Sequence, residues 1–263
     1  MYENKEYVTS MDLFGKVVLV TGGGSGIGAA VAEAFGRHGA SVGIHYHNSE
    51  KNNIAELVER IHLAGGKAFA VQADFNVSRA VTNAIEQVAK HFGRLDVLIN
   101  NAGSMIDRRR LEVIDDEFID QVFDLNARSV VTACRSVLPL FTKQRNGCII
   151  NMTSISARTG GSPGSSIYSA SKAFVSTLTR SLARELADRN IRVNAISPGT
   201  IDTAFHEQFS NPAKLEKTRK NIPLQRLGQP SDCAGAALYL ASDRFSGYVT
   251  GQVIEINGGQ LMA

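Results

Sequence analysis

Short apolar runs alternate along this chain with longer segments in which apolar residues recur every three or four positions. The first run, Lys16–Thr21, is rich in β-branched residues and predicts a buried strand. Ile27–His38 has helical spacing and predicts a helix that ends before Gly39. The same reasoning predicts strands at Val42–Tyr46, Lys67–Gln72, Leu95–Asn100, Cys148–Met152, Val193–Ser197 and Gln252–Ile256. It predicts helices at Ile54–Ala64, Val77–Phe92, Asp115–Lys143, Ile167–Arg189 and Ser231–Ala241.

This alternation predicts an α/β fold, in which a doubly wound parallel sheet of Rossmann type has about seven strands and helices on both faces. An eight-stranded barrel shows the same alternation, so the pattern alone leaves it open, although a glycine-rich turn after the first strand favours the open sheet. We expect one domain over 11–263 and a loose tail over 1–10. The stretch 200–230 carries Asn211-Pro212 and Pro223 among many charges and is expected to form a mobile cap over the substrate.

The turn between the first predicted strand and helix reads TGGGSGIG. Glycines permit positive φ and let backbone N–H groups approach a diphosphate closely, and the N-terminus of the following helix favours negative charge. In isolation such a turn is equally typical of a flexible connection, but its position here favours a nucleotide. The cofactor contacts expected in this turn are Gly22, Ser25, Gly26, Ile27 and Gly28.

Composition narrows the functional classes. The 28 basic and 25 acidic residues are interspersed, and a formal net charge of +3 is too small to indicate binding to nucleic acid or an anionic membrane. The run Arg108–Arg110 is followed by acidic residues and predicts a solvated loop. The three cysteines are widely spaced, and no ligand spacing predicts a metal site. No apolar run approaches the ~20 residues of a membrane span, so we expect a cytoplasmic protein.

Several further motifs follow the glycine turn in a fixed order. They are Asn100-Asn101-Ala102-Gly103 after the fourth strand, Asn126, Ser154 after the fifth strand, the pair Tyr168 and Lys172 in a YxxxK, Pro198-Gly199 after the sixth strand, and Asn257-Gly258-Gly259. Together with the TGxxxGxG turn, these motifs resemble the short-chain dehydrogenase/reductase family. The resemblance covers about Phe14 to Gly259, which is nearly the whole chain.

The YxxxK pair offers acid/base chemistry. Tyr168 and Lys172 are four residues apart and share one face of a helix. A nearby ammonium is expected to lower the phenol pKa from its usual value of about 10, so that the pair can exchange a proton with a substrate. Such a pair is common on helix surfaces, but the accompanying motifs favour a catalytic role.

A serine is expected to complete the catalytic group. Ser154 follows a strand end, where its hydroxyl could hydrogen-bond to a substrate oxygen, although Ser156 is an alternative. Ser154 is preferred because it lies three residues after Asn151, as in the NxxS of the family. The serine does not lie in a GxSxG motif, so a hydrolase is rejected.

The resemblance implies further roles. Asn126 would hold a water relay that links Lys172 to solvent, and Lys172 would contact the nicotinamide ribose. Asp74 would contact the adenine, while Ile201 and Thr203 would hold the carboxamide. The other implied cofactor contacts are Asn101, Ala102, Gly103, Tyr168, Pro198 and Gly199. The resemblance also implies a homotetramer, in which the two longest helices pair across a two-fold axis.

The end of the second strand is expected to select the cofactor. Tyr46 stands where an acid would bind the adenosine ribose hydroxyls and repel a 2′-phosphate. His47 and Asn48 could donate hydrogen bonds to that phosphate, but no Arg or Lys is present at this tip, and Ser25 stands where NADP-binding relatives often carry a basic residue. We expect NADP(H) to be preferred, and NAD(H) remains the alternative.

These observations predict an enzyme that interconverts a secondary alcohol and a ketone by hydride transfer to or from the nicotinamide. The family includes 3-oxoacyl-carrier-protein reductases and sugar or polyol dehydrogenases. The loop Ser156–Ser166 is polar and shows no arginine pair for an acid, which favours a small polar substrate. A catalytically silent, nucleotide-binding regulator or scaffold is the alternative, and the presence of Asn126, Ser154, Tyr168 and Lys172 favours the enzyme.

Overall fold

The structure, a computed structural model, describes residues 10–47 and 51–262. Seven parallel strands form one sheet in the order β3-β2-β1-β4-β5-β6-β7. The strands are β1 Val17–Val20, β2 Ser41–Tyr46, β3 Lys67–Gln72, β4 Val97–Asn100, β5 Gly147–Met152, β6 Ile191–Pro198 and β7 Val253–Ile256. The sheet is doubly wound, because the strand order reverses between β1 and β4, and this open order excludes the barrel.

Helices cover both faces of the sheet. Within the described residues they are α1 Gly26–Arg37, α2 Lys51–Leu63, α3 Ser78–Phe92, α4 Asp116–Phe123, α5 Ser129–Gln144, α6 Ser156–Thr159, α7 Ser166–Glu185, α8 Ala204–Phe209, α9 Pro212–Asn221, α10 Pro230–Ala241 and α11 Asp243–Ser246. Two apolar cores result: α1, α2 and α10 contribute to one, and α3, α5 and α7 to the other. None of these helices is both long and apolar enough to cross a bilayer.

Strands β1, β4, β5 and β6 are largely apolar because each of them contributes side chains to both cores. In β1, Val18 and Val20 pack into the core beneath α1, and Val17 and Leu19 pack into the opposite core. All four side chains are buried, as expected for a parallel sheet that helices cover on both faces. The continuous runs in the sequence therefore predict these strands correctly.

Two predicted elements differ from the structure. The expected helix over Asp115–Lys143 is divided into α4 and α5 by a π-helical segment, Asp124–Arg128. The stretch 200–230, which was expected to be irregular, contains the short helices α8 and α9. Residues 1–9 of the predicted tail lie outside the described residues.

Candidate active site at the carboxyl ends of the strands

A cavity of about 880 Å³ opens at the carboxyl ends of the central strands, between the glycine turn and helices α8 and α9. This is the position at which open α/β sheets bind ligands. The predicted site residues on the cavity wall are Gly22, Ser25, Gly26, Ile27, Gly28, His47, Asp74, Asn101, Ala102, Gly103, Ser154, Tyr168, Lys172, Pro198, Gly199, Ile201 and Thr203. The fold thus brings together most of a set that is spread over the sequence.

Two of the predicted site residues that the structure describes are not on that wall. Tyr46 was expected to contact the cofactor, but its partly buried side chain packs against the core beneath α1 and α2. A period of two along β2 explains this, since neighbouring residues point to opposite faces. Asn126 is fully buried behind the wall. Asn48 lies outside the described residues.

The glycine turn is shaped by contacts that exclude side chains. Gly22 and Gly26 have φ values of +61° and +50°, which favour glycine. A β-carbon on Gly28 would collide with the carbonyl oxygen of Gly22, and one on Gly22 would lie 2.9 Å from the Cα of Ala102. The backbone of the turn therefore packs directly against the first turn of α1 and the loop after β4.

The residues around the glycine turn, which we call the glycine-turn end of the cavity, fit a dinucleotide. Helix α1 begins at Gly26 on the cavity wall, and the first N–H groups of a helix lack intrahelical acceptors, so they favour a diphosphate. The Ser25 side chain does not cap the helix. Among the described residues, the buried Thr153 hydroxyl on the same wall has no hydrogen-bond partner. A polar ligand in the cavity would satisfy that hydroxyl.

A buried histidine supports the glycine turn. The Nδ1 atom of His45 accepts a hydrogen bond of 3.0 Å from the N–H of Gly22, so its proton lies on Nε2, which is 3.1 Å from the carbonyl oxygen of Ala73. The ring also stacks on Phe75 at 3.6 Å. Burial lowers the pKa of His45 to about 4, so the ring is neutral at neutral pH. Sequence reasoning missed this residue; the available signal was a histidine in an otherwise apolar strand.

Three predicted catalytic side chains lie together. Tyr168 and Lys172 project from α7, one helical turn apart, and Ser154 follows β5. The Ser154 and Tyr168 side chains both line the cavity, and hydrogen bonding from Ser154 acts to lower the pKa of the Tyr168 phenol. The Lys172 ammonium lies 5.8 Å from the centre of the Tyr168 ring and donates a 3.0 Å hydrogen bond to the carbonyl oxygen of Met152. The group can hold a substrate oxygen between two hydroxyls.

The electrostatics of this group differ from the expectation. Lys172 was predicted to lower the pKa of Tyr168, but burial raises that pKa to about 12, and the bond from Ser154 only opposes the rise. Desolvation of the phenol is the largest influence, and the Lys172 ammonium, which is bonded to Met152, does not offset it. Burial also lowers the pKa of Lys172 to about 8. At neutral pH Tyr168 is therefore a phenol with a proton to donate, and Lys172 is mainly charged.

Ser156 binds to Ser154 by two hydrogen bonds. Its hydroxyl donates a 2.9 Å hydrogen bond to the Oγ of Ser154, and its backbone N–H donates one of 3.1 Å to the same atom. Ser154 in turn acts to lower the pKa of Tyr168. This arrangement favours Ser154 over Ser156 as the substrate contact and gives Ser156 the task of orienting it.

Asn126 ties the π-helical segment to the loop after β4. Its Nδ2 donates to the carbonyl oxygens of Ser104 and Val122, at 2.7 and 2.9 Å, and its Oδ1 accepts from the N–H of Ser104 at 3.2 Å. A β-carbon on Gly103 would lie 2.6 Å from that Oδ1 and 3.1 Å from the Nζ of Lys172. The glycine thus lets the loop pass closely between Asn126 and Lys172, and the water relay stays a prediction.

The far end of the cavity carries basic side chains that the sequence analysis did not assign. Arg108 was expected in a solvated loop, but it lies on the cavity wall, where its Nε donates a 2.7 Å hydrogen bond to the carbonyl oxygen of Phe209. Lys214 and His206 line the same end. These residues lack a shared sequence motif, and only the fold brings them together.

Comparisons with known proteins agree with this site. The sequence profile of a family described as enoyl-(acyl carrier protein) reductase matches residues 22–260. The 3-oxoacyl-(acyl-carrier-protein) reductase FabG of Thermotoga maritima is 40% identical over 249 residues, which cover 95% of this chain and 99% of the relative. The 3beta-hydroxysteroid dehydrogenase 1 of Eggerthella lenta is 40% identical over 257 residues, which cover 95% of each.

A solved structure is also similar. The NADH-dependent reductase A1-R′, responsible for alginate metabolism, superposes with a TM-score of 0.89 and 35% identity, over 96% of this chain and 99% of that one. Fold, motifs and relatives thus agree over nearly the whole length. The chain belongs to the short-chain dehydrogenase/reductase family, whose members are NAD(P)(H)-dependent oxidoreductases that act on CH–OH and keto groups.

Proposed function

We propose that this enzyme interconverts a secondary alcohol and a ketone, with Tyr168 as the group that donates or accepts the proton. The observation that carries the proposal is the grouping of Ser154, Tyr168 and the Lys172 ammonium on the wall of the cavity that the glycine turn also lines. A cofactor end and an acid/base pair thus share one cavity.

The residues have distinct tasks in the reduction. The nicotinamide, when bound, supplies the hydride. Ser154 and Tyr168 hydrogen-bond to the substrate carbonyl oxygen and stabilise the charge that develops there. The Tyr168 phenol, protonated at neutral pH, gives its proton to that oxygen. The Lys172 ammonium favours the phenolate that remains, and in the oxidation the proton moves in the reverse direction.

For the cofactor, we propose a preference for NADP(H) over NAD(H). Strand β2 ends at Tyr46, and His47 follows on the cavity wall, so no carboxylate of the described tip opposes a 2′-phosphate. The carboxylate of Asp74, whose Oδ1 lies 4.0 Å from the Nε2 of His47, favours NAD(H) instead. A lower KM for NADPH than for NADH, at similar kcat, is expected, and the reverse order would contradict the preference.

We also propose a cytoplasmic homotetramer. Phe174 on α7 and Val131 on α5 are 42% and 38% exposed, which fits helices that pair with a second copy. Analytical ultracentrifugation is expected to give four times the chain mass of 28.3 kDa. A monomer would contradict this assembly.

The reaction class is tested by following the absorbance of the reduced nicotinamide. Wild-type enzyme is assayed with NADPH and with NADH against ketones, keto sugars and 3-oxoacyl thioesters. Oxidation of the nucleotide that depends on the ketone is the expected result. Tight nucleotide binding without turnover of any ketone or alcohol would contradict the proposal and favour a silent, nucleotide-binding regulator.

A further inference from the structure

Three basic side chains from separate parts of the chain meet at the cap end of the cavity, which we define as the wall formed by Arg108, Ser162, His206 and Lys214. Arg108 comes from the loop after β4, His206 from α8 and Lys214 from α9. The Nη1 of Arg108 and the Nζ of Lys214 both donate to the Oγ of Ser162, at 3.1 and 2.9 Å. Ser162 therefore holds two cations close together.

This positive charge is not neutralised by the described side chains. Burial lowers the pKa of Arg108, and burial together with the charge of Arg108 lowers the pKa of Lys214, with no described carboxylate opposing either effect. The pKa of His206 is lowered by burial and by both cations, and Asp202 opposes this only weakly. Two cations that share a partly buried wall, with no counterion among the described side chains that line it, favour an anionic ligand.

The two ends of the cavity differ in charge. Among the described residues of the wall, Asp74 is the acidic side chain, and it lies beside His47 at the glycine-turn end. The cap end has hydroxyls and cations instead. An anionic group would therefore be attracted to the cap end.

Aromatic side chains connect the cap end to the reacting phenol. The ring of Phe205 lies 5.7 Å from the ring of Tyr168 and 4.9 Å from that of Phe209, measured between centroids. The carbonyl oxygen of Phe209 accepts the 2.7 Å hydrogen bond from Arg108. Two aromatic rings in contact therefore connect Tyr168 to the backbone that Arg108 binds, and Phe205 lines the cavity between them, which suits a substrate with one apolar stretch.

We propose that the cap end binds the carboxylate of the substrate, so that the enzyme acts on small oxo acids and hydroxy acids in preference to their neutral counterparts. This inference rests on the proposed alcohol–ketone chemistry at Tyr168. A guanidinium offers donors in a plane that matches a carboxylate, and among the described residues the Nη2 of Arg108 donates to no protein acceptor in the structure. Lys214 adds a second charge from the side.

The test compares substrates that differ in one charge. Acetoacetate is paired with methyl acetoacetate, and gluconate with sorbitol, and kcat/KM is measured for the wild type, Lys214→Met and Lys217→Met. Lys217 is an exposed lysine of the same helix that does not line the cavity, so it is the matched control. Lys214→Met avoids Arg108, which also holds the backbone of α8.

For each substrate pair that the wild type turns over, kcat/KM is expected to be about tenfold or more higher for the acid than for its neutral partner. Charge-assisted hydrogen bonds to the carboxylate imply a difference of this size. Lys214→Met should lose about tenfold on the acid, mainly in KM, and little on the neutral partner, while Lys217→Met should match the wild type. Equal kcat/KM for both members of a pair would overturn the inference, and so would an equal loss on both in Lys214→Met.

Failure of the inference and failure of the proposed function are separable. If turnover requires Tyr168 but is equally fast on the acid and on its neutral partner, the proposed function stands and the inference about the carboxylate is wrong. If the wild type turns over neither member, acetoacetate and methyl acetoacetate are titrated against the NADPH-loaded enzyme by nucleotide fluorescence. Tighter binding of the acid, lost in Lys214→Met, supports the inference without turnover, and equal binding overturns it.

Discussion

The two ends of the cavity are built in different ways. At the glycine-turn end, backbone packs on backbone, and His45 holds the turn from below by a bond to the N–H of Gly22. At the cap end, long side chains such as Arg108 and Lys214 project from short elements and meet at Ser162. The first end can change little without losing its shape, whereas the second can exchange side chains on the same backbone. Changes at the first should alter cofactor affinity, and changes at the second should alter substrate choice.

A large effect is expected between the two ends of the cavity, at the hydroxyls of Ser154 and Ser156. Ser154→Ala removes a donor to the substrate oxygen and should lower kcat by on the order of 10²-fold, with nucleotide affinity unchanged. Ser156→Ala removes only the group that orients Ser154 and should cost less than about tenfold. Steady-state kinetics of both variants decide the assignment, and a larger loss in Ser156→Ala would reverse it.

The glycine-turn end is tested by a single added methyl group. Gly28→Ala places a β-carbon against the carbonyl oxygen of Gly22, so we expect NADPH affinity to fall by at least about tenfold, with some loss of stability. Gly235→Ala in α10 is the control, because its β-carbon would meet no atom within 4 Å. Nucleotide titration and thermal unfolding check both variants, and unchanged affinity in Gly28→Ala would contradict the packing account.

His45 makes the glycine-turn end sensitive to acid. Its pKa is lowered from 6.5 to about 4, so the unfolded chain binds the proton first as the pH falls. The free energy of unfolding therefore has its full value above pH 6.5. It decreases by up to about 3 kcal/mol as the pH falls from 6.5 towards 4. His45→Asn, which keeps an acceptor for the Gly22 N–H, should remove most of this dependence. Denaturant unfolding at several pH values measures it, and an identical slope in the variant would contradict the role of His45.

A smaller effect is expected from Lys172. Burial lowers its pKa to about 8, so its charge is present below that pH and is lost above it. We therefore expect kcat/KM for reduction to decline above pH 8, with a slope of up to about tenfold per pH unit. In Lys172→Arg this decline should disappear, because a guanidinium keeps its charge. If kcat/KM of Lys172→Arg still declined above pH 8, the decline would have to be assigned to another titrating group.

The contrast between the glycine-turn end and the cap end also explains which features could be predicted from the sequence. Elements whose cause is local were predicted: the apolar strands, the glycine turn and the shared helix face of Tyr168 and Lys172. The cap end depends on contacts between residues far apart, such as Arg108 with Phe209, 101 positions away, and no local pattern indicates such a pair.

Burial caused the other errors. The rise in the pKa of Tyr168 depends on how the cavity encloses the phenol, and the place of Tyr46 in the core depends on the register of β2. The bond between His45 and Gly22 joins β2 to the glycine turn, and only the folded sheet brings these two together. In each case the residue type was visible in the sequence, and its surroundings were not.

The central claim is that Tyr168 donates the proton within a cavity that binds the cofactor independently of it. Tyr168→Phe keeps the ring and removes the hydroxyl, so turnover and NADPH affinity are measured side by side in this variant and the wild type. We expect turnover to fall by on the order of 10³-fold and NADPH affinity to change less than about threefold. Turnover within tenfold of the wild type would contradict the account.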